Sequence, residues 1–201
     1  MNKYLESAEV IDWNSPAVFK QAQVLAQGVS TQDEITKNCF EFVRDEIKHS
    51  WDYQQNPVTC KASDVLKYRT GFCYAKSHLL AALLRANEIP AGLCYQRITI
   101  TDSPLFCLHG LNAVYLEQFG WYRIDARGNK QDVKAEFCPP TERLAFSLVT
   151  LGEADLPEIW PEPLPIITSL LTKYKNYQNV IDNLPDIELF TANKAIQSDA
   201  A

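Results

Sequence analysis

The stretch TGFCYAKSHLLAALLRANEIPAG, residues 70–92, decides how the rest of the chain is read. A Thr-Gly-Phe break precedes Cys73, an apolar run at helical spacing follows it, and Ile89-Pro90-Ala91-Gly92 ends that run. Leu79, Leu80, Leu83 and Leu84 recur at the i, i+3, i+4 spacing of a core-facing helix, which predicts a buried helix over about 73–87. A cysteine therefore stands in its first turn. Free cysteine behaves as a small hydrophobe and commonly packs without chemistry. The positive end of the helix dipole also favours the thiolate, the nucleophilic form of the side chain. What the rest of the chain supplies decides between the two.

Upstream the texture is helical. Residues 16–27 place Val18, Ala22 and Leu25 on one face before Gly28. In STQDEITKNCFEFVRDEIKHS, residues 30–50, Thr31 and Glu34 have capping-box spacing, and Ile35, Cys39, Phe42, Val43 and Ile47 form a stripe. A short helix follows Ser63. Beyond Pro90 the pattern changes to alternation in residues 93–100, 109–117 and 120–125. These predict antiparallel strands, the last two joined as a hairpin through Gln118-Phe119-Gly120.

Composition bounds the function. The 201 residues are 46 % hydrophobic and 22 % charged, the balance of a globular chain, and predict one domain over 1–201. A net charge of -6 with no basic stripe argues against a nucleic-acid partner. No stretch reaches the roughly 20 apolar residues of a membrane helix. The start MNKYLESAEVIDWNSP lacks a secretory apolar region, which predicts a cytoplasmic protein with reduced thiols. The six cysteines, at 39, 60, 73, 94, 107 and 138, include no C-x-x-C pair, so no structural zinc site is expected. Cys39 and Cys94 fall at apolar positions and read as packing. Cys107 and His109 have C-x-H spacing but no second ligand pair.

Only three histidines can serve a thiol as base. His49 follows the second helix and reads as a cation on its C-terminal dipole. His78 lies five residues after Cys73 on the same helix, about 500° around it, and points elsewhere. His109 remains, at the start of a strand. Asp125 ends the paired strand, and a carboxylate there can fix the tautomer of an imidazole that takes the thiol proton. The two are not directly opposite in an ideal hairpin; a bulge or an uneven turn is one way to bring them to a common face.

Thr70-Gly71-Phe72-Cys73, Ala81-Ala82-Leu83-Leu84-Arg85-Ala86, Ile89-Pro90-Ala91, His109-Gly110-Leu111-Asn112 and Gly120-Trp121-Tyr122-Arg123-Ile124-Asp125 together resemble the transglutaminase-like superfamily over about residues 35–130. The order, spacing and element types agree. Asn87-Glu88 departs from the family's glycine before Ile-Pro, and Gly110-Leu111-Asn112 from its Ala-Trp pair after the histidine. The resemblance implies an α+β, papain/transglutaminase-like fold with the nucleophile helix packed on an antiparallel sheet, its core at about 31–130 and followed by a helical extension at about 139–190. It implies Cys73 as nucleophile, His109 as general acid and base and Asp125 as orienter, acting on a peptide, protein or small amide through a thioester, without metal or cofactor. Oxyanion stabilisation would come from the Cys73 N–H and a side-chain donor between Trp51 and Gln55, with Tyr53 the preferred donor and an aromatic merely packed beside the nucleophile helix the equal alternative for that ring. The alternative is a catalytically idle module that binds a peptide or protein in the same cleft.

Three further segments carry expectations. Arg127-Gly128-Asn129 reads as a surface turn, with a substrate-carboxylate role for Arg127 as the alternative. Residues 160–165 read as a rigid proline-rich connector, and 166–182 as a helix packed through Ile167, Leu170, Leu171 and Tyr174. Fraying is expected after about Phe190.

Overall fold

The computed structural model describes residues 1–99 and 106–187, so the expected strand end at Ile100 and the tail beyond Phe190 lie outside the described residues. Pro16 opens α1 (Pro16–Ala26), where its missing N–H costs nothing, and Val18 and Ala22 are buried. At α2 (Gln32–Glu41) the capping box forms as expected: Thr31 Oγ1 accepts the Glu34 N–H and Glu34 accepts the Thr31 N–H, both at 3.3 Å. The helix does not run on to residue 50. After Glu41 it widens into a π turn (Phe42–Glu46), and Ile47 turns extended to enter β1 (Lys48–His49). The buried stripe is Thr36, Cys39, Phe40, Val43 and Ile47, while Ile35 and Phe42 are half-buried.

α3 (Ala62–Tyr68) leads to β2 (Thr70–Gly71), which pairs in parallel with β1 so that His49 lies beside Gly71. α4 (Cys73–Ala86) follows after one residue and is buried along its whole length. Its polar side chains are therefore paired. Lys76 Nζ donates to the carbonyls of Ile47 and Arg44 released by the π turn, fastening β1 to α4. Arg85 donates to the carbonyls of Ala91, Glu6 and Pro161.

β3 (Ala91–Thr99), β4 (Phe106–Leu116), β5 (Gly120–Ile124) and β6 (Ala154–Asp155) form one antiparallel sheet in the order β5-β4-β3-β6. Gly120, at a φ of +75°, closes the β4–β5 hairpin opposite Leu116. α4 lies across β3 and β4. A Cβ at Gly110 would meet Tyr74 Cδ1 at 2.8 Å and Tyr74 Cα at 3.2 Å, so the start of α4 seats on β4 only because that residue is glycine.

Two expectations for the C-terminal third change. Trp160 exchanges backbone hydrogen bonds with Leu93 at 2.8 and 2.9 Å and packs edge-on against Tyr95, so the proline-rich segment is tied to the sheet edge. Between 139 and 164 the chain is irregular apart from β6, and helix returns only at α5 (Pro165–Lys173) and α6 (Tyr177–Ile181). Ile167, Leu170, Leu171 and Val180 join the core formed by α1 to α4 and the inner sheet face. No described helix is long and apolar enough to cross a membrane.

Candidate active site

Phe72 is extended and Cys73 is the first residue of α4, so its thiol sits at the positive end of a 14-residue helix. Cys73 is 9 % exposed and lines a cavity of about 240 Å³ together with His109, His49, Trp51, Leu108 and Phe146. His109 comes from β4, one residue before the glycine on which α4 rests. Its Nε2–H donates to Asp125 Oδ2 at 2.8 Å, with side chains 3 % and 1 % exposed. No bulge brings them together. In the register Asn112 faces Ile124, so Asp125 falls beyond Leu111 and meets His109 as a diagonal neighbour on the same face.

The pair is over-determined. Asp125 Oδ1 accepts the Arg127 N–H and Oδ2 accepts the Ala145 N–H, each at 3.1 Å. The His109 ring stacks edge-on against Phe146, with centroids 4.9 Å apart. Burial would raise the Asp125 pKa, but the His109 charge and these hydrogen bonds hold it below the ordinary carboxylate value. Burial likewise pulls His109 down, yet Asp125 and then Cys73 reverse this and lift it to about 10. The ring is therefore an imidazolium at neutral pH. Its Nε2 is committed to Asp125, which leaves Nδ1 to exchange a proton with Cys73. Burial pushes the other core thiols up, Cys39, Cys94 and Cys107 to about 12 and Cys60 to about 11. All six cysteines are free thiols.

Tyr53 is not brought to the thiol. It is 59 % exposed, its ring lies under Lys48, and it lines a different hollow from Cys73. From the stretch Trp51 to Gln55, Trp51 and Asp52 line the Cys73 cavity instead.

His49 and Arg127 also depart from their sequence readings. His49 is buried beside Cys73, its Nε2 accepting the Cys73 N–H at 3.2 Å, and it is not a solvent-facing helix cap. The parallel β1–β2 pair carries it there, and a Lys-His dipeptide at a helix end holds no local signal of that pairing. Arg127 is 7 % exposed and forks onto Asp52 at 2.7 and 3.0 Å, with Lys130 adding a third bond at 3.1 Å. It is therefore no surface turn residue. His78 points away, as expected, and shares its Nδ1 with the Cys60 carbonyl at 2.8 Å. Among the described residues no group of three or more His, Cys, Asp or Glu is gathered as a metal site.

The sequence model of the Transglutaminase-like superfamily matches residues 20–126, just over half of the chain. The chain belongs to the transglutaminase-like superfamily. Among solved structures it resembles a protein described as a candidate cysteine protease from Cytophaga hutchinsonii, at 19 % identity and a TM-score of 0.51, covering 62 % of this chain and 40 % of that one. It also resembles the periplasmic domain of TgpA from Pseudomonas aeruginosa bound to ethylmercury (19 % identity, TM-score 0.49, 61 % and 46 % covered) and red sea bream transglutaminase (15 %, 0.38, 59 % and 25 %). The chain thus spans less than half the length of each. No curated protein sequence matches it. The fold is α+β and papain/transglutaminase-like, with the helix that opens at Cys73 packed on the antiparallel sheet.

Proposed function

We propose that this transglutaminase-like chain is a cysteine-dependent amide hydrolase or acyltransferase in which Cys73 is the nucleophile, His109 the general acid and base, and Asp125 the orienter. The observation that carries the reading is the buried 2.8 Å pair of His109 and Asp125, whose imidazole lines the cavity that holds the helix-start thiol. A pair buried only for packing leaves a charged ring in the core without a task, whereas acyl transfer uses that charge.

The thiolate attacks an amide carbonyl carbon, the carbonyl π pair moves to oxygen, and the new oxyanion is met by the Cys73 N–H and a side-chain donor. Within the segment where that donor is expected, Trp51 is the side chain with an N–H that lines the cavity. His109 then gives its proton to the leaving amine as the C–N bond breaks, and a thioester remains. Neutral His109 next takes a proton from water or an amine, which attacks the thioester and releases the thiolate. Water is the favoured acceptor, and peptides, proteins or small amides are the substrates. A cytoplasmic setting fits six free thiols.

A peptide-library screen read by mass spectrometry, comparing wild type with Cys73→Ala, tests the reading. Cleaved amides that depend on Cys73 are the expected result. Amine-labelled or cross-linked glutamines would move the acceptor from water to amine, and tight peptide binding without any covalent adduct would establish an idle binding module instead.

A further inference from the structure

The cavity holds a second imidazole–carboxylate pair that the acyl-transfer steps do not use. His49 is 5 % exposed and its Nε2 accepts the Cys73 N–H at 3.2 Å, the donor that an acyl oxygen needs. Its buried Nδ1 has no hydrogen-bond partner, and Asp52 Oδ2 stands 3.7 Å away, beyond bonding distance. Asp52 is fixed in place by Arg127 and Lys130. The edge of the His49 ring is set against Phe72, with centroids 5.8 Å apart.

The protonation state is set by these neighbours. Burial, then Arg127 from beyond β5, Lys76 from α4 and His109 from β4, disfavour charge on His49 and outweigh Asp52, so the ring is neutral. A neutral ring that accepts at Nε2 carries its proton on Nδ1, the nitrogen that faces Asp52. The ring therefore has two possible partners and reaches one at a time. Moving about 1 Å toward Asp52 would exchange the Nε2 bond for a charge-assisted Nδ1–H bond. With the site empty that shift would leave the Cys73 N–H buried and unpaired. Once an acyl oxygen takes the N–H, nothing opposes it.

We propose that His49 is a positioning residue that occupies the Cys73 N–H in the empty site and yields it to the acyl oxygen by settling onto Asp52. The inference rests on the acyl-transfer reading of Cys73, because only that chemistry calls on this N–H. It makes the oxyanion hole a filled site that substrate must open.

Two reagents separate the hole from the thiol. Butyraldehyde adds to Cys73: the S–C bond forms, the carbonyl π pair moves to oxygen, and that oxygen takes the N–H before receiving a proton from His109. Iodoacetamide alkylates the same thiolate by displacing iodide at a saturated carbon, with no oxyanion. His49→Phe keeps a ring against Phe72 and removes the acceptor. The expected result is tighter butyraldehyde binding, by at most about fivefold, because the wild-type ring recovers on Asp52 part of the one neutral hydrogen bond it gives up, with a smaller change in the iodoacetamide rate. Weaker aldehyde binding, or parallel changes in both, overturns the inference.

Should His49→Phe not fold, the wild-type protein is read by ¹⁵N spectroscopy of its histidine rings. An unprotonated His49 Nε2, with a Nδ1–H signal that moves downfield when butyraldehyde is added, is expected. A proton on Nε2 in the empty site, or an unmoved Nδ1–H, overturns the proposal. Failure of both reagents to modify Cys73 ahead of the other cysteines would refute the acyl-transfer reading itself; a reactive Cys73 without the expected His49 effect refutes only the inference.

Discussion

Asp125→Asn removes one charge from the centre of the site at nearly constant shape, and the contacts of Asp125 set the size of the effect. Asp125 accepts from His109 at 2.8 Å and from the Arg127 and Ala145 N–H groups at 3.1 Å each. An amide has one oxygen, which can serve His109 and Ala145, and its NH₂ must then face the Arg127 N–H. One orphaned buried donor costs about 1–3 kcal/mol, so the variant should fold with a lowered melting temperature. The larger effect is electrostatic. Burial alone drives His109 below its ordinary 6.5, and Asp125 is the foremost of the groups that lift it to about 10. Without that charge, burial favours the neutral ring, and the cation beside Cys73 is lost. An imidazolium beside a thiol favours the thiolate and lowers its intrinsic nucleophilicity by about tenfold, so losing that cation should slow Cys73 alkylation at pH 6 by a net factor on the order of ten.

The assay is limiting iodoacetamide at pH 5 to 9.5, with Cys73 modification followed by peptide mass mapping. Wild type should label Cys73 first at pH 6, because burial suppresses ionisation at Cys39, Cys60, Cys94 and Cys107. Asp125→Asn should lag at pH 6 and converge on wild type near pH 9. Turnover should fall further, as wrong-tautomer histidine costs about 10⁴ in serine-protease triads. Superimposable pH profiles for the two proteins, or Cys138 labelling ahead of Cys73 in wild type, would refute the ion pair and leave Cys73 as a packing residue.

Gly110→Ala should destabilise by about 1–3 kcal/mol, because the new Cβ would lie 2.8 Å from Tyr74 Cδ1 and must push α4 off β4. Thermal unfolding measures the cost, and Cys73 labelling at pH 6 should slow in the same variant as the thiol moves from His109. His78 is depressed to about 4 from 6.5 by burial, so its contribution to stability is present above pH 6.5 and lost as the pH falls toward 4. Denaturant unfolding of His78→Phe between those pH values should therefore lose about 3 kcal/mol less than wild type, and equal losses would show that His78 takes up its proton freely in the folded state.

Much of this protein was legible in its sequence because it rests on short-range chemistry. The capping box at Thr31 and Glu34, the leucine periodicity of α4, and the alternation of β3 to β5 are local patterns, and each produced its element, although α2 stops at Glu41 and β4 starts at Phe106 rather than His109. Cys73, His109 and Asp125 could be selected because histidines are few and only one follows the α4 segment within a strand pattern, although that strand begins three residues earlier, at Phe106. The meeting of His109 with Asp125 was open on the strand pattern alone, since a diagonal contact depends on register and on which face the hairpin presents.

Tertiary structure alone decided what surrounds that trio. The π turn at Phe42–Glu46 ends α2 early where the Ile47 and Arg44 carbonyls find Lys76, a partner 29 and 32 residues away. His49 reaches Cys73 through a two-residue parallel pairing, and Arg127 is buried because Asp52, 75 residues earlier, receives its fork. Tyr53 lies outside the cavity because the turn after β1 directs it toward Lys48. Local sequence specifies periodicity, caps and turn residues, whose energies act within one or two turns of the chain. The burial of a charge or a lone N–H is settled only when distant segments meet, because its cost depends on every neighbour that excludes water from it.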